Sequence, residues 1–194
     1  MRDATHAPWQ LEPASAAARA WLLGLTTLLP VLITGAAIGL GISQGETPKL
    51  FFDDGPLGLV LTFALVALIG AAVGVAIHLA MRRHRITLDA NGIEVATTFY
   101  KRRLGWGELK LDEARVVDLD EHTDYKPSFK SNGTAIPGFR SGWFRMRNRQ
   151  KAFVAMAGGP RVLLLPTTQG YTLLLQPRQP KSLLDELKAT SSSR

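Results

Sequence analysis

The sequence contains no cysteine, which excludes a disulfide framework, thiolate metal centres and thiol nucleophiles. It has only four histidines. They stand at positions 6, 78, 84 and 122, too scattered for the spacing of a metal-ligand set. No Gly-x-Ser-x-Gly, phosphate-binding glycine loop or His-Glu-x-x-His occurs, so the common signatures of hydrolytic and nucleotide chemistry are missing. The most informative absence is local. Asp, Glu, Lys and Arg make up 20% of the chain, yet Trp21–Ile42 (22 residues) and Leu57–Met81 (25 residues) contain none of them. Apolar runs of this length suffice to cross a bilayer, and a buried core helix seldom needs as much. The sequence therefore predicts a two-helix transmembrane hairpin.

What charge there is falls unevenly around these runs. Arg2 and Arg19 balance Asp3 and Glu12 before the first run. Between the runs, Lys49 is outweighed by Glu46, Asp53 and Asp54, and Arg82, Arg83 and Arg85 follow the second run at once. From Ile86 onward there are 17 basic and 11 acidic residues. Short segments rich in Lys and Arg stay on the cytoplasmic side. The expected organisation is a cytoplasmic segment 1–20, helices 21–42 and 57–81, an external loop 43–56, and a cytoplasmic domain 82–190. Both termini would then be cytoplasmic, in a multi-pass protein of the inner membrane. A cleaved signal peptide fits poorly, because the first run is too long and the segment before it is neutral.

Trp21, Phe51 and Phe52 sit where interfacial aromatic anchors would. Pro30 falls mid-span beside Thr26, Thr27 and Thr34, whose hydroxyls can satisfy carbonyls that a kink frees. His78, one turn from the cytoplasmic end, reads as a headgroup contact rather than a proton relay. Each span also carries glycines four apart, Gly35/Gly39 and Gly70/Gly74, and such grooves admit a close helix. At ~1.5 Å per residue, the first pair lies ~21–27 Å above the inner boundary and the second ~10–17 Å. The grooves therefore cannot face one another in an antiparallel hairpin. Phe63 and Ala67 would fill the first, and Leu28 to Leu32 the second, with a homodimer or partner helix as the alternative use of one groove.

Beyond Arg85 the pattern changes to short stretches punctuated by Gly, Pro and Asn, which signals strands. Ile86–Leu88 and Ile93–Thr97 flank Asn91-Gly92, whose positive φ suits a hairpin turn. Further strands are expected at Phe99–Leu104, Val116–Leu119, Trp143–Arg147, Lys151–Met156, Arg161–Leu165 and Tyr171–Leu175, with a long polar loop from Asp120 to Gly142. Pro180–Lys188 reads as a closing helix with Leu183, Leu184 and Leu187 on one face. About seven short strands and one C-terminal helix fit a small antiparallel barrel or sandwich. The N-terminal ~18 residues and Ser191–Arg194 look disordered by composition.

Two spans followed by Ile86-x-Leu88-x-x-x-Gly92-Ile93 resemble the membrane-anchored bacterial PH-like (pleckstrin-homology-like) domain proteins. So do Tyr125–Gly133 with Pro137-Gly138 and Gly142-Trp143-Phe144, and the Leu-rich closing helix. The resemblance spans residues ~82–188 and rests on Gly-punctuated strands rather than invariant polar residues. It implies a seven-stranded, strongly bent antiparallel sheet plugged by the C-terminal helix. It implies no agreed ligand, cofactor or catalysis, and the basic stretch Arg140–Lys151 departs from it.

Two kinds of polar cluster remain. Asp118, Asp120, Glu121, His122 and Asp124 form an oxygen-rich run, but an EF-hand count places His122 and Thr123 where the pattern needs other residues, so a solvated loop is expected. A metal-dependent hydrolase built on Asp118, Asp120 and His122 is the enzymatic alternative. The basic residues fall into two patches. One is Arg82, Arg83 and Arg85 with Lys101, Arg102 and Arg103. The other is Arg140, Arg145, Arg147, Arg149 and Lys151, with Arg145 and Arg147 pointing outward from a strand beside Trp143. Anionic headgroups within permanent reach of the tether argue against nucleic acid as the partner of these cations. The sequence thus points to a non-enzymatic module without metal or cofactor. Such a module would bind a partner protein or self-associate at the inner membrane face, with recognition of anionic lipid headgroups as the alternative.

Overall fold

The computed structural model describes residues 9–45, 50–52 and 55–192. The charges assigned to Arg2, Asp3, Glu46, Lys49, Asp53 and Asp54 lie outside the described residues, as do His6 and the last two positions. The chain forms two compact units, Arg19–Leu79 and the combination of Met1–Ala18 with Ala80–Arg194.

The first unit is the apolar hairpin. One helix, Ala16–Ser43, and a second, Pro56–Met81, are each long and apolar enough to cross a membrane. The first begins as α1 (Ala16–Leu23), widens into a π turn over Gly24–Leu28 and continues as α2 (Leu29–Ser43); the second is α3 (Pro56–Met81). Pro30 explains the π turn. Proline has no N–H to offer the carbonyl of Thr26, and a wide turn just before it is a common way to absorb that loss. Accordingly the Leu29 N–H bonds to the Gly24 carbonyl, five residues back. Thr26 Oγ1 donates to the Leu22 carbonyl at 2.9 Å, whereas the buried Thr27 hydroxyl has no partner among the described residues.

Gly35 meets Phe63 as expected, but the second pair meets different neighbours. A Cβ on Gly70 would collide with the Thr26 carbonyl oxygen, the group Pro30 cannot bond, and at Gly74 it would lie 2.7 Å from Thr26 Oγ1. The second groove therefore takes Thr26 and Leu23, about a turn before Leu28–Leu32. Gly35 faces the Phe63 ring at 3.6 Å, and Gly39 has open space around it among the described residues.

The second unit is a β domain with nine strands, not seven. A three-stranded antiparallel sheet is made of β1 (Arg85–Asp89), β2 (Gly92–Ala96) and β3 (Lys101–Gly105). In its first turn Asp89 Oδ1 accepts the N–H groups of Asn91 and Gly92 at 2.7 and 3.0 Å, so Ala90-Asn91 forms the bend. A six-stranded sheet runs in the order β4-β8-β9-β7-β6-β5. Its strands are β4 (Arg115–Asp118), β5 (Pro127–Ile136), β6 (Phe139–Met146), β7 (Lys151–Met156), β8 (Arg161–Pro166) and β9 (Thr172–Leu175). Strand β9 inserts between β7 and β8 and runs parallel to β7, so the sheet is mixed rather than antiparallel throughout. Helix α4 (Pro180–Ser192) closes the chain.

Alternation along these strands separates two cores. Trp143, Phe153, Leu163, Leu165, Leu173 and Leu175 face one side, where Ile86, Ile93, Val95 and Leu104 of the small sheet and Leu183 and Leu187 of α4 cover them. Phe144, Met146, Val154, Val162, Leu164 and Leu174 face the other side with Val117 and Leu119, against Tyr125. Segment 119–126 crosses from the β4 edge, where the Leu119 N–H bonds to Pro160 O, to the β6–β7 turn, where Asn148 and Arg147 donate to Asp124 O and Lys126 O.

Two expectations are overturned here. The stretch Asp120–Gly142 is not one long loop, since most of it is the β5–β6 hairpin, turning at Pro137-Gly138 with Gly138 at φ 75°. A polar strand such as β5 becomes regular only by pairing with β6, and two β-bulges interrupt even that pairing. Residues 9–18 are not a loose tail either. Gln10 brackets the Ile86 backbone, donating to its carbonyl at 2.8 Å and accepting its N–H at 3.1 Å. Glu12 N–H bonds to Gln176 O, Arg178 N–H bonds to Gln10 O, and Leu11 bridges Pro177. Composition could not show this, because the segment borrows its regularity from partners more than 70 residues away.

His84 lies beside this strap. Its ring packs at a 40° tilt against Phe139 with centroids 4.9 Å apart, and neither buried nitrogen has a well-formed hydrogen bond among the described residues. Burial strips water from the imidazolium and lowers the pKa from 6.5 to about 4, the nearby Glu12 backbone offsetting this only in part. The sign of the pH effect follows. The folded chain holds the ring neutral while the unfolded chain protonates it near 6.5, so stability falls as pH drops from there towards 4. The expected loss is about 1.4 kcal/mol per pH unit within that window. Thermal melts of His84→Phe should lack this acid slope.

The hairpin gives a second prediction. Gly70→Val should destabilise it by roughly 1–3 kcal/mol through overpacking, whereas Gly39→Val should stay within about 0.5 kcal/mol. Steric-trap or thermal unfolding of the full chain in micelles would show whether the two sites differ.

Candidate anion-binding face

The two basic patches read from sequence are not two in the structure. They meet at Trp143, and several of their members lie away from that meeting point. On β3, alternation sends Lys101 and Arg103 outward, where Lys101 pairs with Glu94 at 2.9 Å and Arg103 with Asp89 at 2.5 Å. Arg102 points the opposite way, towards the six-stranded sheet, and its Cζ lies 4.8 Å from the centre of the Trp143 ring. Lys151, at the start of β7, places its Nζ 4.4 Å from the same ring. One aromatic ring thus holds two cations, one from each predicted patch. Each such contact contributes about 0.5–1 kcal/mol at an exposed site.

The ring itself is fixed from behind. Trp143 is 9% exposed and stands edge-on to Phe153 at 5.2 Å and to Tyr171 at 4.9 Å. Register lays out the rest of the face, because residues directly opposite in an antiparallel pair share a side of the sheet. Phe129, Arg145 and Lys151 form one row across β5, β6 and β7, and Asn132, Trp143 and Phe153 form the next. The Tyr100 hydroxyl donates to Asn132 Oδ1, joining the β2–β3 connection to this face. Arg145, Lys151 and Arg102 are all exposed. Phe129 is 65% exposed at the margin. Among the described residues Arg102, Arg145 and Lys151 have no carboxylate partner. Arg145 instead donates to the Arg149 carbonyl at 3.2 Å.

The remaining basic residues lie elsewhere. Strand β6 ends at Met146, so Arg147 and Arg149 lie in the turn, Arg149 with a positive φ of 66°. Arg140 shares the opposite side of β6 with Phe144, about 17 Å along the strand from Arg145. Arg82, Arg83 and Arg85 are exposed ahead of and at the start of β1. Aromatic residues made the difference that charge counting missed. Trp143 in mid-strand between basic residues was the available signal, but its second cation comes from a different sheet.

The acidic run does not assemble into a site. Asp118 Oδ1 accepts the Asp120 N–H at 2.9 Å, Asp120 pairs with Lys126 at 2.7 Å, and His122 Nδ1 approaches the Asp118 carbonyl at 3.3 Å. Among the described residues no group of three His, Cys, Asp or Glu side chains is arranged to hold a metal ion.

Arg102 also reaches the electrostatics of Tyr171. Burial raises the Tyr171 phenol above its usual 10.0, Arg102 pulls it down, and Glu108 pushes it up. Removing the cation removes the favourable field on the phenolate. Arg102→Ala should therefore shift Tyr171 ionisation to still higher pH, which ultraviolet difference titration against a Tyr171→Phe control would detect. Compared with known proteins, the chain matches no family model, no curated protein and no solved structure.

Proposed function

We propose that this chain is a membrane-anchored binding or scaffolding module at the cytoplasmic face of a bacterial inner membrane. Its apolar hairpin serves as the anchor and its β domain as the recognition element. The observation that carries the binding reading is the face around Trp143, where three cations stand exposed without carboxylate partners among the described residues. Exposed cations gathered on one face without neutralising carboxylates are suited to an anionic partner. The acidic run offers no comparable constellation for a hydrolytic reading among the described residues, because Asp118 accepts a local turn N–H and Asp120 pairs with Lys126.

Sidedness rests on two supports. The bias of Lys and Arg places both flanks of the hairpin inside. The strap adds a physical constraint. Residues 10–12, which precede the first span, hydrogen-bond to Ile86 and to residues 176–178, which follow the second. A hairpin that spans the bilayer can satisfy those bonds only with both flanks on one side. The PH-like family remains part of this proposal. The C-terminal helix packed on the β core favours it, while the parallel β7/β9 pair departs from it.

The cysteine-free sequence makes the test direct. In intact cells, Gln44→Cys between the spans should react with a membrane-impermeant maleimide, and Ala189→Cys on α4 should react only after permeabilisation. The reverse pattern, or equal labelling of both positions, would overturn the topology.

A further inference from the structure

We infer that the occupant of the Trp143 face is the anionic phospholipid surface of the membrane that anchors the chain. This rests on the binding-module reading above and names its partner. Four observations converge on it. The face is cationic without internal compensation, since Arg102, Arg145 and Lys151 have no carboxylate partner among the described residues. It is bordered by an apolar ring, Phe129, exposed to 65% in the same cross-strand row as Arg145 and Lys151. Cations flanking an exposed aromatic suit the headgroup zone, where charge meets phosphate and the ring enters the acyl boundary. Trp143 stands in the adjoining row beneath Arg102 and Lys151, its ring held by Phe153 and Tyr171. A fixed ring beneath two long flexible side chains reduces the conformational freedom those cations lose on binding. Finally, three residues separate Met81 at the end of α3 from Arg85 at the start of β1. The leaflet is therefore always available at high effective concentration, and an acidic protein would have to compete with it.

The face differs from the site that sequence alone suggests. Arg147 and Arg149 occupy the turn, and Arg140 lies on the opposite side of β6. Discrimination should therefore follow Arg102, Arg145 and Lys151, and Arg140→Glu should leave docking unchanged. Each cation brought to such a surface contributes roughly a fivefold gain in occupancy at low salt, and the gain fades within a Debye length.

The experiment uses the full chain reconstituted in lipid nanodiscs. A nitroxide is placed at Ser131→Cys, an exposed position in the β5 bulge beside Phe129. A second is placed at Ala189→Cys on α4 as the control. Collision with an aqueous nickel chelate is measured in phosphatidylcholine discs with and without about a third phosphatidylglycerol. The anionic lipid should lower nickel accessibility at Ser131→Cys several-fold and leave Ala189→Cys unchanged. Raising salt from about 0.05 to 0.5 M should restore access. So should the triple variant Arg102→Glu, Arg145→Glu, Lys151→Glu. If charge reversal disturbs folding, the salt series on the unaltered cations decides the matter, with Arg102→Gln and Lys151→Gln as milder variants. Equal accessibility in both bilayers would overturn the inference. So would protection that survives both salt and charge change, which would instead indicate a second copy of the chain or another protein on this face. A chain that passes the sidedness test and fails here remains a binding module with a different occupant, so the two readings fail separately.

Discussion

The β domain depends on four residues, Thr172–Leu175, and on where they go. Strand β9 enters between β7 and β8, and every residue in it is buried. Leu173 and Leu175 complete the core beneath the small sheet and α4, while Leu174 completes the core on the other side. Burying three leucines contributes about 1.5–3 kcal/mol each relative to exposure. Strands β7 and β8 are likewise flanked on both edges and feed both cores, but each begins with an exposed residue. Gln176 then fastens the end of β9. Its Oε1 accepts the N–H groups of Ala157 and Gly159 at 2.9 and 3.1 Å, tying down the β7–β8 connection, and its Nε2 donates to Glu12 at 2.9 Å.

That last bond joins the domain to the strand that precedes the hairpin. The strap Gln10–Glu12 uses the end of β9 and the start of β1 as docking sites, so the domain is built from chain that precedes and chain that follows the apolar hairpin. A side-chain amide matches a peptide group in shape, which lets Gln10 bond both the N–H and the C=O of Ile86 without a full strand. The apolar unit shows a related economy. Pro30 removes a donor, a π turn redistributes the bonds, and the Thr26 carbonyl oxygen occupies the space that a side chain on Gly70 would need.

The candidate face follows from the packing of the two sheets. Leu104 must point into the shared core, so Arg102, two residues earlier on β3, points the same way but reaches the core's margin. There it finds Trp143, which marks the same margin on β6. Lys151 arrives through its register with Arg145. The cations gather because alternation and register leave them nowhere else to go, while the outward cations of β3 meet Glu94 and Asp89 and are neutralised. The inferred lipid contact thus rests on geometry that the cores enforce rather than on total charge.

The sequence by itself determined the periodicity-driven features of this protein. Charge-free runs of 22 and 25 residues could only be long apolar helices, and short apolar stretches punctuated by glycine and proline located eight of the nine strands and α4. Such features are legible because each depends on neighbours within a few residues. Tertiary structure alone decided four others. Strand β5 is polar and forms by pairing with β6. The strap is short and polar and forms by pairing with residues 86 and 176–178. Strand β9 looks like one more hairpin strand, yet it runs parallel to β7 because its leucines are buried best in the middle of the sheet. The face around Trp143 combines β3, β6 and β7, whose members are up to 49 residues apart, from Arg102 to Lys151. The physical reason is common to all four. Hydrogen bonds and cation–ring contacts between distant segments are chosen by which faces the cores bury, and a linear pattern records each face without recording its partner.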